Sequence, residues 1–487
     1  MLTRLEVDGF KNLVGVTVDF GPLTCIAGPN SVGKSNLFDA IRFLSLLADH
    51  TLVEAALRVR DGDIETSDLR NLFYRSTPSQ SNNGDLRFRI AAEMIVEPQV
   101  RDDFGRAVEA SSTFLRYEVQ LGYEPPDHLG TLGRLVLLAE QLNYITEGKA
   151  VSKTDNKLKF PHSAQHFRSI IVKNKRRRDS GYISTQEVSD GQIEIVVHQD
   201  GGSRGPGQVA PASSAPRTIV GTSNTSATPT ILAARREMQS WRFLALEPSA
   251  MRRSDRFQTQ PFITSAGGHL PATLYRLATT AERSGGDAAD VYASIANRLS
   301  RLVPIRSLEV EVDDVRQVLT IVAQERSGVQ LPAAALSDGT LRFLTLAVLE
   351  ADPETRGLIC IEEPENGIHP ARMGEMTELL QGLVVDPMEQ PGPKNVLRQV
   401  ILATHSPTFV QLQRPDDLLF AQEVRVRGTH GEPVRTLRFR PLEETWRARH
   451  GTPPMSLSTI VDYLAAPENA QLKLPHVDLD ALAERPS

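Results

Sequence analysis

Residues 28 to 35, GPNSVGKS, match the pattern G-x-x-x-x-G-K-S in full. A short apolar run, Leu23 to Ala27, precedes them, and residues 37 to 48 repeat apolar side chains at helical spacing. A strand, a glycine-rich loop and a helix in this order point several backbone N–H groups at an anion near the positive end of the helix dipole. The stretch therefore predicts a triphosphate-binding loop at the edge of a parallel α/β sheet.

The motif also predicts which residues bind the phosphates and the metal ion. Lys34 is expected to reach the β- and γ-phosphates of ATP, and Ser35 to ligate Mg²⁺. Glycine is needed where backbone and phosphate approach closely. The residues expected to contact the nucleotide are Asn12, Gly28, Asn30, Ser31, Gly33, Lys34, Ser35 and Asn36.

A second apolar run, residues 358 to 361, ends in two adjacent carboxylates, Glu362 and Glu363. Successive strand residues point to opposite faces, so the two carboxylates are expected to point in different directions. We assign Glu362 to Mg²⁺ and Glu363 to the general base that orients the attacking water. In a chain with the phosphate loop, this pair predicts hydrolysis as well as binding.

Two further motifs lie near predicted strand or helix ends. Ser337 and Gly339 precede a leucine-rich helical segment, residues 341 to 349. They form either a second anion-binding surface or an ordinary helix N-cap, and in isolation the N-cap is favoured. His405 follows a third apolar run, residues 400 to 403, where the edge of a parallel sheet faces a ligand crevice.

Five segments together resemble the ABC-type ATPases of the SMC/RecF/OLD group: LEVDGFKN from Leu5, GPNSVGKSN, LSDGTLRFL, LICIEEPENGIHP and ILATHSP. Within that group the chain is most similar to the OLD-like branch of predicted AAA ATPases. The resemblance implies an α/β fold of the P-loop NTPase class, an ABC-type ATPase head. Such a head has a mixed or parallel core sheet, an antiparallel β-subdomain and an inserted region.

The resemblance also implies roles for residues outside the loop. Ser337 and Gly339 would contact the γ-phosphate of a nucleotide held by the opposite subunit, and His405 would sense that phosphate. Asn366 would lie in the segment that crosses the interface, so a homo-oligomer, at least a dimer, is expected. Asp338 and Thr340 stand where transporter ATPases usually have glycine and glutamine, which disfavours transport. No residue could be assigned to the Q-loop.

The motifs and composition suggest four segments. Residues 1–150 form ATPase lobe I with the antiparallel β-subdomain, and residues 301–450 form lobe II. Residues 151–300 are an inserted region without a sustained heptad, and 451–487 a C-terminal tail. Residues 201–230 hold 23 Gly, Pro, Ser, Thr or Ala in 30, and that composition predicts a flexible loop.

OLD proteins carry a nuclease after the ATPase, but only about 75 residues follow His405-Ser406-Pro407 and the next predicted helix, too few for that fold. The motif Asp478-Leu479-Asp480 has no predicted strand to hold it. We therefore expect no nuclease in this chain and a separate effector protein, possibly a nuclease, as partner.

Charge is informative in one region. The chain carries a formal net charge of -6, but residues 160 to 260 hold 14 Lys and Arg against 8 Asp and Glu. The run from Lys173 to Arg178 either contacts DNA phosphates or is a solvated loop. The basic residues that would extend such a DNA-binding surface are Arg235, Arg236, Arg252, Arg253 and Arg256.

Cys25 and Cys360 are the only cysteines, and no apolar run is long enough to cross a membrane. These features predict a reduced, cytoplasmic protein without a membrane partner. The favoured hypothesis is an ATP-driven dimeric switch in anti-phage defence or DNA maintenance. The alternatives are a RecF/SMC-like clamp acting directly on DNA and, less favoured, the ATPase subunit of a transporter.

Overall fold

The computed structural model describes residues 1–30, 32–59, 68–75, 86–126, 133–152, 156–174, 181–188, 192–200, 208–427, 433–465 and 477–478. The strands are β1 Leu2–Asp8, β2 Val16–Asp19, β3 Leu23–Ala27, β4 Arg87–Ile95, β5 Gln99–Arg101, β6 Ala107–Glu109, β7 Phe114–Glu124, β8 Arg134–Tyr144, β9 Ile183–Glu187, β10 Ile193–Val197, β11 Gln208–Pro211, β12 Arg242–Leu244, β13 Asp255–Arg256, β14 Ile305–Asp313, β15 Val318–Glu325, β16 Gln330–Pro332, β17 Gly357–Glu362, β18 Arg398–Thr404, β19 Leu418–Arg427, β20 Pro433–Arg440 and β21 Val477–Asp478.

The helices are α1 Lys34–Leu47, α2 Leu52–Arg58, α3 Glu147–Ala150, α4 Ser169–Ile171, α5 Ile219–Thr222, α6 Pro229–Gln239, α7 Pro248–Met251, α8 Leu270–Arg283, α9 Ala288–Leu299, α10 Asp338–Ala351, α11 Met373–Leu383, α12 Pro407–Gln411, α13 Trp446–Arg449 and α14 Leu457–Ala465. Within the described ranges, no helix is long and apolar enough to span a membrane.

The three apolar runs predicted as strands lie side by side in one core sheet of order β12-β17-β18-β3-β19-β20. β12, β17, β18, β3 and β19 run parallel, and β20 is antiparallel to β19. This confirms the predicted α/β class with a mixed, mainly parallel core sheet. The turns after β3, β17 and β18 consequently meet at one edge of the sheet.

Both faces of the core sheet are covered, which explains why its strands read as continuous apolar runs. Along β17, Leu358 and Cys360 pack toward α1 and the antiparallel sheet. Ile359 and Ile361 pack toward α8 to α12. The phosphate loop and the carboxylate pair are therefore anchored on buried, rigid strands.

The predicted antiparallel subdomain is an eight-stranded sheet of order β11-β10-β9-β8-β7-β4-β1-β2. Residues 86–94 and 115–121 alternate apolar side chains with period two, as expected of half-buried strands, and form its neighbours β4 and β7. Residues 308–312 show the same alternation and lie in β14 of a smaller sheet with β13, β15 and β16.

Residues 151–300, predicted as an inserted region, take part in both lobes. β9 to β11 extend the antiparallel sheet of lobe I, and β12 pairs with β17 in the core sheet. α8 and α9 pack into the apolar core of lobe II. The segment is divided between the lobes because its short strands pair with strands from distant parts of the chain.

The prediction of one flexible loop over residues 201–230 is wrong for residues 208–230, which form β11, α5 and the start of α6. Residues 201–207 lie outside the described part. The small polar residues order the segment by capping: Thr218 caps α5. Buried Glu140 accepts hydrogen bonds from the backbone N–H of Ile219 at 2.7 Å and of Val220 at 3.0 Å. Burial raises the pKa of Glu140 to about 7.

The expected tail, residues 451–487, is also partly structured. Helix α14 packs Tyr463, which is 3% exposed, against Phe420 of the core sheet. Residues 466–476 and 479–487 lie outside the described part. Val477 and Asp478 pair with β19, so a strand does hold the start of the Asp478-Leu479-Asp480 motif, contrary to expectation.

We predict that Glu140→Ala lowers the thermal unfolding midpoint and locally loosens α5. Loss of the carboxylate leaves the N–H groups of Ile219 and Val220 without their acceptor, and an unsatisfied buried donor costs ~1–3 kcal/mol. Hydrogen exchange at these two amides should become faster than in the wild type.

Glu187→Ala is the matched control, since Glu187 is an exposed residue of the same sheet. It should leave the exchange of both amides unchanged. Equal protection of Ile219 and Val220 in Glu140→Ala and in Glu187→Ala would contradict the role given to Glu140.

Candidate nucleotide site

A cavity of about 340 Å³ lies where the turns after β3, β17 and β18 meet. It is lined by Asn30, Gly33, Lys34, Ser35, Asn36, Glu362, Glu363 and Ala403. Most of the expected phosphate-loop residues and both carboxylates therefore face one space. Ser31, also expected to bind nucleotide, lies outside the described residues.

Lys34 is the first residue of α1 and is buried. Its Nζ donates hydrogen bonds to the backbone oxygens of Gly28 at 2.6 Å and Pro29 at 2.9 Å. Burial lowers the pKa of Lys34 to about 8, against the opposing influence of Glu363 and Glu362. The ammonium thus bridges two backbone oxygens of its own loop and borders the cavity in which the phosphates of ATP are expected.

The turn between β1 and β2 braces the loop from one side. Asn36 donates to Asn12 Oδ1 at 2.7 Å, and Lys11 pairs with Asp39 of α1 at 2.6 Å. Gly33 has a φ of +103°, and a side chain there would collide with Asn12. In the structure Asn12 therefore supports the loop backbone, while its expected contact with nucleotide stays a prediction.

Glu362 and Glu363 do not both lie on the strand, which corrects the argument from strand alternation. β17 ends at Glu362, and Glu363 adopts a left-handed φ of +49°. The backbone N–H of Glu363 donates to Ala403 O at 2.8 Å and so fixes this turn. A non-glycine residue held at positive φ costs ~1–3 kcal/mol, and such strain is concentrated at functional sites.

Glu363 is held by two neighbours. Its Oε1 shares a hydrogen bond with His405 Nδ1 at 2.5 Å, and its Oε2 accepts from Asn366 Nδ2 at 2.8 Å. The histidine after β18 and the carboxylate after β17 thus form one unit. This places His405 beside the proposed general base.

Glu365 is a carboxylate that the sequence reasoning missed. It is 4% exposed and accepts a hydrogen bond from Thr404, the residue before His405. Thr404 also accepts from Gly28 N through its backbone oxygen at 3.3 Å. Burial raises the pKa of Glu365. The available signal was the third carboxylate in Glu-Glu-Pro-Glu, directly after the predicted strand.

Ser337 and Gly339 are absent from the lining of this cavity. Ser337 is the N-cap of α10, and its Oγ accepts from Thr340 N at 3.3 Å, so it does form the helix cap that was the alternative. Gly339 is buried, and a side chain there would collide with Gly367 O. In the structure both residues thus belong to the start of α10, and their expected phosphate contact stays a prediction.

The cavity chemistry fits Mg²⁺ bound together with phosphates. Ser35 and Glu362 both line it and would supply a hydroxyl and a carboxylate oxygen. Mg²⁺ commonly takes one or two protein oxygens and completes its shell with phosphate and water. Within the described ranges no cluster of three or more His, Cys, Asp or Glu could hold a metal by protein ligands alone.

The structure describes part of the predicted basic surface. Arg235 and Arg236 form internal contacts: Arg235 donates to Ala48 O at 2.8 Å, and Arg236 pairs with Asp103 at 2.5 Å. Lys173 is exposed, whereas residues 175–180 lie outside the described part. Arg235 and Arg236 therefore stabilise the fold, because a helix end and a neighbouring carboxylate bind their guanidinium groups.

Two family models match the chain. The one described as "AAA domain, putative AbiEii toxin, Type IV TA system" matches residues 269–411, and one described as "AAA domain" matches residues 4–46. Together they cover the segments that supply the phosphate loop, the carboxylate pair and His405.

Curated relatives are similar over part of the chain. Structural maintenance of chromosomes protein 1 of Saccharomyces cerevisiae is 31% identical over 157 residues, which are 32% of this chain and 10% of that protein. The DNA replication and repair protein RecF of Acaryochloris marina is 40% identical over 63 residues, 13% of this chain and 17% of that protein. The matches thus span less than a fifth of each relative.

Among solved structures, an SMC head bound to the C-winged helix domain of ScpA has a TM-score of 0.44 at 14% identity, covering 91% of this chain and 99% of that one. The SMC head domain from Thermotoga maritima has a TM-score of 0.36 at 12% identity, covering 91% and 99%.

We predict that ATP affinity weakens as the pH rises above about 8. The lowered pKa of Lys34 means that the free protein loses the ammonium charge there, well below the pH expected of an ordinary lysine. Once the amine is neutral in the free protein, apparent affinity should fall about tenfold per pH unit. Calorimetric titration with MgATP from pH ~7 to ~9.5 measures this.

Lys34→Met should bind ATP weakly and without this pH dependence. A wild-type affinity that stays constant to the highest pH would contradict the position given to the Lys34 ammonium.

Proposed function

We propose that the chain is an ABC-type ATPase of the SMC/RecF group, which binds ATP with Mg²⁺ and hydrolyses it to ADP and phosphate. The observation that carries the proposal is the shared cavity. Lys34, Ser35, Glu362 and Glu363 all line it, and His405 is bonded to Glu363 at its edge.

Each side chain has a chemical task in this proposal. Lys34 exchanges its hydrogen bonds to Gly28 and Pro29 for bonds to the β- and γ-phosphates. Glu363 accepts a proton from the attacking water, and Asn366 and His405 hold its two oxygens in place. Mg²⁺, bound through Ser35 and Glu362, would offset the negative charge of the phosphates.

We further propose that a complete site needs two copies of the chain. Ser337 and Asp338 are exposed at the start of α10 and do not line the cavity of their own chain. An exposed helix N-terminus with a serine cap is suited to an anion supplied from outside. Residues 336–339 of one copy, here named the Ser337 loop, would therefore close on the γ-phosphate held by Lys34 of the other.

Such a dimer would be a switch, closed with ATP and opened by hydrolysis. We propose that it controls a separate effector, such as a nuclease, in anti-phage defence or DNA maintenance. The match over residues 269–411 to a family described with a toxin–antitoxin system supports this role.

A second candidate is a clamp that acts directly on DNA. The similarity to a DNA replication and repair protein and the exposed Lys173, next to further basic residues, favour it. If DNA stimulates ATP hydrolysis by the isolated protein, that result would favour this candidate over an effector switch.

We predict that Glu363→Gln retains ATP binding but turns over at least about a hundredfold more slowly, since general-base catalysis contributes 10²–10⁴-fold. The amide cannot accept the proton of water, so ATP should persist and hold the closed dimer. Single-turnover phosphate release and sedimentation with ATP measure the two effects.

Glu311→Gln is the matched control, because Glu311 is an exposed residue of β14 remote from the cavity lining. It should behave as the wild type. Normal phosphate release by Glu363→Gln would remove Glu363 as the base.

A further inference from the structure

Asp338 poses an electrostatic problem for the proposed dimer. It is the first residue of α10, directly after the Ser337 cap, and its side chain is 55% exposed. A carboxylate at this point would meet the γ-phosphate that the Ser337 loop is proposed to bind. Two like charges brought together at an interface repel, so the loop needs a counter-charge.

Arg252 supplies that counter-charge within the same chain. Its guanidinium forms an ion pair with Asp338 and donates a hydrogen bond to Leu336 O at 3.1 Å. These contacts bracket Ser337 in the sequence. The positive charge of Arg252 therefore lies beside Ser337, at the surface that a second copy is proposed to approach.

The chain holds Arg252 in this position from the side of α10. Met251 is fully buried, and its Sδ accepts a hydrogen bond from Thr345 Oγ1 of α10 at 3.1 Å. Gly267, with a φ of +83°, leaves the room that the Met251 side chain needs. α7 is consequently fixed to the helix whose first turn Arg252 contacts.

The other end of the same segment is fixed to the core sheet. β12 pairs in parallel with β17, with Leu244 opposite Ile361, the residue before Glu362. The backbone N–H of Ala245 donates to Ser265 O at 2.9 Å. Residues 245–252 therefore form a short, braced connection, so the position of Arg252 is set by the fold.

We propose that Arg252 is a positioning residue that neutralises Asp338 and so makes the Ser337 loop receptive to the γ-phosphate bound by a second copy. The proposal rests on the dimeric ATPase proposed above. Asp338 and Arg252 act as a pair: removing the arginine exposes the carboxylate, and removing both charges restores a neutral loop.

The test is ATP-dependent dimerisation measured by sedimentation in the slowly hydrolysing Glu363→Gln protein. Arg252→Ala should weaken dimerisation by at least about tenfold, because like-charge juxtaposition across an interface is costly. Adding Asp338→Gly to Arg252→Ala should restore it to near the parent value. Arg252→Lys, which keeps the charge, should lose much less than Arg252→Ala.

Ionic strength separates charge neutralisation from a purely structural effect. Salt screens repulsion, so added salt should improve dimerisation of Arg252→Ala relative to its parent. Arg253→Ala removes an exposed neighbouring arginine and should match the parent at every salt concentration.

Two results would overturn the proposal: dimerisation of Arg252→Ala equal to the parent, or no recovery when Asp338→Gly is added. In both cases the parent still dimerises with ATP, so the proposed function would stand. A parent protein that never dimerises with ATP would overturn the dimeric function and this inference together.

Discussion

Parallel pairing of β18 with both β17 and β3 is the constraint on which the site depends. It brings three sequence-distant turns to one sheet edge: the phosphate loop, the Glu362–Glu363 turn and the turn carrying His405. Both faces of the sheet are buried, so apolar packing of the strands holds these turns, and the polar residues they carry, in position. The hydrogen bonds of Glu363 to Ala403 and His405 then join the second turn to the third.

Charge explains how this edge can respond to a ligand. Lys34 is buried and spans its own loop, close enough to Glu362 and Glu363 for both to affect its pKa. A triphosphate would replace backbone oxygens with stronger acceptors for the ammonium. The Ser337 loop, also rich in polar groups, lies outside this cavity and carries its own neutralised pair, Arg252 and Asp338. The proposed dimer follows from the separation of these two elements, which are both proposed to bind phosphate.

The sequence predicted the core sheet, its carboxyl-edge motifs and the long antiparallel strands, because their apolar periodicity is local and strong. It failed where order depends on distant partners. The small polar residues around Thr218 appeared flexible because their acceptor, Glu140, lies far away in the chain. The direction of the Glu363 side chain could not be predicted either. Glu363 lies in a left-handed turn fixed by its hydrogen bond to Ala403, so the alternation of side chains along the strand stops before it. Arg252 appeared to be part of a basic surface until the fold placed Asp338 beside it.

In the proposed dimer, each complete site combines the phosphate loop of one copy with the Ser337 loop of the other. Mixing a Lys34→Ala protein with a Ser337→Arg protein tests it most directly, by phosphate release from the mixture. Each variant alone should be inactive, and the mixture should regain up to about half of the wild-type rate per mixed dimer, because one of its two sites is intact. A mixture as inactive as its components, with wild-type protein turning over as a monomer, would contradict the account.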